Sequence, residues 1–554
     1  MQRQALLEQL KTGDFDLLVI GGGATGAGIA LDAATRGLKV ALVERDDFAS
    51  GTSSRSTKLI HGGVRYLEQA VKKLDKGQWN LVRDALHERA TVIKLAPHLA
   101  HPLPLVTPLY NWFGIPYYRI GLKMYDWLAG KSNLKPSRYL RAKDAKKSFP
   151  MLKAKGLRGG VLYYDGQFDD ARMNVTIAMT AIQQGATVLN HIEVTDLRKE
   201  NSRLVGATVR DRFTGETFPV KAKVVVNATG PFCDHIRQMD DPKAPKMLSA
   251  SSGIHIVLDK RFSPPATGLL IPKTEDGRVL FLLPWLGHTL VGTTDNPAKI
   301  ESNPKPTDED IEYILRHIQQ YFDVPVSRQD VLSAWSGLRP LVSNPKASDT
   351  AGLSRDHIVH VSDSGLLTVT GGKWTTYRKM ALDAVDHAIK VGHLAPLGPS
   401  RSEVVPLMGA VGYTEDLPER LRKEFGLPED VARHLAKAYG ALAREVATLA
   451  REGYGQRLAE AHPYLEAEVV YGIRREMGYT VTDVLARRTR LAFLDIVAAR
   501  RALPRVLEIM GDELGWDPAR RREEEQKFED YLSDLPDFAK PQENGAEARA
   551  ARSA

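Results

Sequence analysis

A single cysteine, Cys233, stands among 554 residues, so no intramolecular disulfide can form and no cysteine cluster exists to hold zinc or an iron–sulfur centre. That fits a reducing compartment. Long apolar runs are missing as well. The longest stretch without Lys, Arg, Asp or Glu, Leu95 to Tyr118, carries Pro97, Pro102, Pro104, Pro108 and Pro116, which excludes a spanning helix through it. Charge of one sign is in only modest excess: 76 Lys and Arg against 68 Asp and Glu give +8, leaving anionic substrates, an anionic membrane surface and nucleic acid open as partners. The segment before Phe15 is short and contains Glu8 and Asp14, so neither a signal nor a transit peptide is expected. Glycine and proline are spread along the chain rather than concentrated, which argues against disorder or a fibrous repeat, and the length suggests two to four domains.

What is present begins with FDLLVI, Phe15 to Ile20, apolar enough for a buried parallel strand. GGGATGAGIALDAATRG follows, then a second strand LKVALVE. In this βαβ order Gly21, Gly23 and Gly26 supply the G-x-G-x-x-G spacing of a dinucleotide-binding turn. Gly21 permits the tight turn, Gly23 admits a pyrophosphate, and Gly26 lets the helix pack on the strands; Ala24 and Thr25 open that helix. Glu44 ends the second strand, where a carboxylate can accept hydrogen bonds from a ribose diol; it disfavours a 2′-phosphate but does not separate FAD from NAD.

Three further segments carry special residues. SGTSSRSTKLIHGG offers Thr52, Ser53, Ser54, Lys58, His61, Gly62 and Gly63, small hydroxyls and glycines suited to a second cofactor contact. KAKVVVNATGPF reads as a strand running into Ala228, Thr229 and Gly230. SGLLTVTGGKWTTYRKM reads as a strand to Thr370, a glycine pair ending at Gly372, Lys373, and a helix starting near Thr375 whose positive end would face an anion such as reduced flavin.

Taken together, TSSRSTKLIHGGVRYLE, YYDGQFDDARMN, VNATGPF, SGLRPLV and GGKWTTYRKM closely resemble FAD-dependent glycerol-3-phosphate dehydrogenase, the quinone-linked, membrane-associated enzyme, from about Phe15 to at least Gly511. TSSRSTKLIHGG and GGKWTTYR look closer to the mitochondrial-type branch. No D-x-D-x-D-G calcium loop follows Trp516, so calcium regulation does not carry over, and no long insertion of the oxygen-using oxidases is evident. The resemblance implies a noncovalent FAD and adds Val194 to the cofactor set. It also implies that Arg65, Arg339, Arg355 and Lys373 meet the phosphate and hydroxyls of sn-glycerol 3-phosphate, with Tyr66 lining the pocket. His255, in SSGIHIVLD, alternates with Ile254 and Ile256, a pattern that by itself suits a satisfied core histidine; the resemblance implies a general base or hydroxyl ligand there, and with it a catalytic set of His255, Arg339 and Lys373, with no metal.

The expected fold is α/β: a Rossmann-like FAD-binding domain of the glutathione-reductase/glycine-oxidase type over residues 1–399, with an inserted antiparallel-sheet substrate domain from segments 70–165 and 240–345. An all-helical domain over 400–530 and a flexible 531–554 tail follow. Tyr110 to Lys131 gathers seven aromatic residues with Arg119, Lys123 and Lys131, the composition of a headgroup interface or of a helix packed on its sheet. Expected partners are a membrane quinone, an anionic lipid surface bound peripherally, and a second copy in a homodimer, at the cytoplasmic face of a bacterial inner membrane. Two alternatives stay open: an oxidase reducing oxygen, and a flavoprotein binding RNA through the basic helical part. Interleaved RNA-binding motifs are missing, so no nucleic-acid partner is expected.

Overall fold

The structure, a computed structural model, describes residues 3–63, 76–112, 114–275, 277–342 and 357–536. Strand Asp14–Ile20 lies between Val40–Val43 and Thr217–Asn227, parallel to both, with Leu17 opposite Val40 and Val19 opposite Val226. Leu17, Leu18 and Val19 are fully buried, as expected of a parallel strand covered on both faces. Thr187–Leu189 extends the sheet on one side; Leu367–Gly371 and the antiparallel His357–Val361 extend it on the other. Helices Ala24–Thr35, Asp170–Gln183 and Tyr377–Gly392 share its core. All the parallel strands thus end near one another, and an open α/β sheet binds its ligand at the carboxyl ends of its strands.

The second sheet draws its strands from 59–168 and 248–342. It is mostly antiparallel, with one parallel pair, Gly268–Ile271 beside Ala100–Leu109, so it is mixed rather than wholly antiparallel. Its longest pairing joins Leu248–Leu258 to Val331–Val342, placing His255 opposite Trp335, Gly253 opposite Gly337 and Ser251 opposite Arg339. Helix Asp308–Tyr321 covers part of this sheet; Thr307 caps it by accepting from the Asp310 N–H, and its first turn carries Asp308, Glu309 and Asp310 against the helix dipole. On a separate apolar cluster lie Lys76–Leu95 and Gly114–Ala129.

The segment Tyr110 to Lys131 packs on its sheet through one face. Leu122, Tyr125 and Ala129 are buried against the sheet, while Trp112, Tyr117, Ile120 and Trp127 are exposed. No helix among the described residues is long and apolar enough to cross a membrane.

From Leu417 the chain is helical, ending with Ile496–Leu514 and Pro518–Ser533. This part is not an appendage. Its later helices form one apolar cluster with Val257, Trp285, Leu290 and Trp335 of the second sheet, while the earlier ones pack in a cluster of their own. Buried charges seal the contact with the first: Arg172 pairs with Glu476 at 2.6 Å, and Asp47, just beyond Glu44, receives Arg487 and Arg488, the latter at 2.7 Å.

Candidate active site

The glycine turn sets the shape of the cleft. Gly21 has φ +109, in the left-handed region, and a Cβ on Gly26 would come within 1.9 Å of the Gly21 carbonyl oxygen. Only glycine fits at either position. The start of helix Ala24–Thr35 is thereby drawn to the end of the strand, where the Ala24 N–H donates to Ser53 Oγ at 2.9 Å.

Glu44 follows the second strand. One carboxylate oxygen accepts the Gly22 N–H at 2.6 Å and the other the Asp46 N–H at 2.8 Å. Burial, and then the neighbouring Asp46, push its pKa up to about 7 despite those hydrogen bonds. Each oxygen keeps a lone pair for a further donor.

Around this turn runs a cleft of about 440 Å³ that also takes in Thr52, Ser53, His61, Val194 and the Ala228-Thr229-Gly230 turn, and is bounded opposite by Gly372, Lys373 and Thr375. Its loops are stitched together: Trp374 Nε1 donates to the Ser53 carbonyl, the His61 N–H to Thr375 Oγ1, and Thr52 Oγ1 to the Leu338 carbonyl. Lys373 sits where strand Leu367–Gly371 gives way to the turn Trp374–Thr376 and helix Tyr377–Gly392, so the helix's positive end opens on the cleft.

His255 and Arg339 reach the same cleft from the second sheet. Between them lies the facing pair Gly253 and Gly337. The Arg339 guanidinium folds back over Gly253, where a Cβ would stand 2.3 Å from it, and the Arg55 backbone lies on Gly337, bringing the next turn of chain to His255. There Thr57 Oγ1 is 3.0 Å from His255 Nε2, and the imidazole stacks on Trp335 at 4.3 Å and 19°. The ring is buried; burial, then Lys58 and Arg339, hold its pKa well below the ordinary imidazole value, so it is neutral at neutral pH. Arg339 is ion-paired to Asp295 at 3.1 Å and donates to Thr293 Oγ1 and the Thr294 carbonyl, which fixes its guanidinium over Gly253 at the cleft wall.

Several expected contacts lie elsewhere. Lys58 is fully buried behind the cleft wall, its Nζ 2.7 Å from Asp170 and 2.8 Å from the Ser54 carbonyl. Its backbone is left-handed (φ +63), its side chain is paired with the buried Asp170, and it does not line the cleft. Ser54, Gly62 and Gly63 stand behind the lining as well; the Gly62 N–H donates to Tyr125 Oη. Arg65, Tyr66 and Arg355 lie outside the described residues. Thr57 is one of the small hydroxyl residues of its segment, but nothing local marks Trp335, which meets His255 through strand pairing, or Asp295, which meets Arg339 through an ion pair.

Residues 16–378 match the family described as FAD dependent oxidoreductase, and residues 400–521 the C-terminal domain of alpha-glycerophosphate oxidase. Mitochondrial glycerol-3-phosphate dehydrogenase of Mesocricetus auratus is 52% identical over 95% of this chain and 74% of its own. Its counterpart in Arabidopsis thaliana is 51% identical over 96% and 88%. The solved glycerol-3-phosphate dehydrogenase of Bacillus halodurans, complexed with FAD, superposes with a TM-score of 0.79 at 33% identity, covering 98% of this chain and 99% of that one. The chain belongs to the FAD-dependent glycerol-3-phosphate dehydrogenases. The dehydrogenase's cofactor is FAD, and the cleft fits it. A side chain at Gly23 would meet Ser53, leaving the backbone open for a pyrophosphate, and the buried Glu44 awaits a hydroxyl donor.

Proposed function

We propose that this dehydrogenase oxidises sn-glycerol 3-phosphate at C2 to dihydroxyacetone phosphate and passes the electrons to a membrane quinone. FAD, when bound, supplies the hydride acceptor. Arg339, held in place by Asp295 at the cleft wall, supplies the positive charge that meets the substrate phosphate. Neutral His255, steadied by Thr57 and Trp335, takes the C2 hydroxyl proton. Lys373 and the adjoining helix end stabilise negative charge arriving in the cleft. The observation carrying this reading is that a neutral imidazole and an oriented guanidinium, on paired strands, face a glycine-turn cleft from the side opposite the helix end.

Anaerobic titration tests it. Flavin absorbance should bleach with sn-glycerol 3-phosphate and not with glycerol; equal bleaching by both would reject the phosphate site. A hydrophobic acceptor calls for a membrane-facing surface, and the exposed Trp112, Tyr117, Ile120 and Trp127 beside Arg119 and Lys123 have that character. We therefore place the protein peripherally on an anionic bilayer, the cytoplasmic face of a bacterial inner membrane. Flotation with anionic vesicles should carry it upward, and Trp127→Ser should weaken the association. A high peroxide yield without added quinone would instead assign the electrons to oxygen.

A further inference from the structure

The apolar core shared by the helical part and the second sheet reaches the imidazole itself. His255 has one hydrogen bond among the described residues, shared between Nε2 and Thr57 Oγ1; Nδ1 is buried and has none. One hydrogen bond fixes a direction but leaves the ring plane able to rotate about it. The plane is set by Trp335, stacked at 4.3 Å. Trp335 is fully buried and its indole N–H likewise has no partner among the described residues, so packing alone orients it.

One of the groups that pack on the Trp335 ring comes from the C-terminal part. Phe493, on the short helix Leu491–Leu494, meets it at 5.3 Å and 57°. Phe493 is itself held by the Arg490 guanidinium, 4.3 Å from its ring centre. Arg490 in turn is anchored to the Ala486 and Ser54 carbonyls at 2.9 and 2.8 Å and faces Asp170 at 3.4 Å. Lys58, paired with the same Asp170, stands 4.4 Å from the Trp335 ring centre. A ring that must accept a proton from a bound hydroxyl needs its nitrogen placed to within a fraction of an ångström, and a supporting shell of locked side chains supplies that precision.

We propose that Phe493 is a positioning residue for His255, acting through Trp335, so that the helical C-terminal part completes the active site. The proposal rests on the reading of His255 as proton acceptor, and a double-mutant cycle separates the two. Holoenzymes carrying Phe493→Leu, His255→Asn and both changes would be compared by anaerobic stopped-flow with sn-glycerol 3-phosphate. Phe493→Leu should keep FAD content and substrate affinity, yet slow the limiting rate of flavin reduction by about tenfold to a hundredfold. In the His255→Asn background the same change should cost nothing further, because its route of action is gone. Phe493→Tyr, which keeps the ring, should retain the parental rate.

A Phe493→Leu penalty that persists in full beside His255→Asn would overturn the proposal, as would a parental rate for Phe493→Leu while His255→Asn is slow. A parental rate for His255→Asn alone would overturn the proton-acceptor assignment and the proposal with it. Should the leucine variant not yield folded holoenzyme, Phe493→Met, close in volume but without a ring, carries the same cycle.

Discussion

Glu44 is where burial and ligand chemistry pull in opposite directions. Without cofactor its carboxyl is raised to about 7 from an ordinary 4.5, chiefly by desolvation. Between those values the folded apoprotein holds a proton that the unfolded chain has released, so this group's contribution to stability falls as pH rises across the window. A ribose diol donates to the ionised form, so FAD binding must expel that proton at acid pH. Apoprotein titrated with FAD by fluorescence should therefore bind more weakly as pH falls below 7, by up to about tenfold per unit, and level off above it. Glu44→Gln should abolish the slope. Arg339 and Lys373 should differ in kind. Arg339→Met loses a charge-assisted contact of about 1.5–3 kcal/mol, roughly tenfold or more in substrate affinity, while Arg278, 3.4 Å from Asp295, keeps that carboxylate paired. Lys373→Met should also lower the limiting rate of flavin reduction, since it removes charge stabilisation in the transition state. Unchanged stopped-flow kinetics in both variants, with FAD bound, would reject these roles.

At the scale of elements, the loop leaving Glu44 is clamped from outside its own domain. Asp47 is fully buried; Arg488 binds both of its oxygens at 2.7 and 3.0 Å, Arg487 adds a third bond, and Asn190 donates at 2.9 Å. Replacing it with Asn leaves two buried guanidiniums short of charge, a loss of about 3–5 kcal/mol. Asp47→Asn should thus lower the thermal midpoint and loosen FAD retention, and a variant matching the parent in both would reject the clamp. None of this was legible in the sequence, because its partners lie some 440 residues apart. The glycine turn and Glu44 were legible because a βαβ unit is local: strand, turn, helix and carboxylate fall within one short stretch. Strand alternation likewise gave the facing of His255, opposite to Ile254 and Ile256, which lie in the apolar cluster of the second sheet; its role came only from the family resemblance. The contacts that tune the site were hidden for the opposite reason. Trp335 reaches His255 through antiparallel register, and the side chain of Lys58 is paired with a carboxylate 112 positions away.

For the whole molecule the question is whether the helical part is a separate body. Composition and periodicity alone separate it near residue 400, and a linker-joined domain would unfold by itself. The contacts argue otherwise. Trp335, Val257, Trp285 and Leu290 of the second sheet belong to the same apolar cluster as Phe493, Leu494 and Phe528. Arg172–Glu476 and Asp47–Arg488 join the first sheet's side to the helices through ion pairs shielded from water. Exposing any one of these surfaces would strand apolar area and unpaired charge on both partners, so the half-unfolded state is disfavoured on each side. Calorimetry should show the helical part melting with the FAD-binding part in one transition. Saturating FAD should shift that transition as a whole; at a hundred times its dissociation constant the stabilisation is about 2.7 kcal/mol. If instead only an upper or lower component moved with FAD, the helices would be an independent unit, and a route from Phe493 to His255 would lose its physical basis.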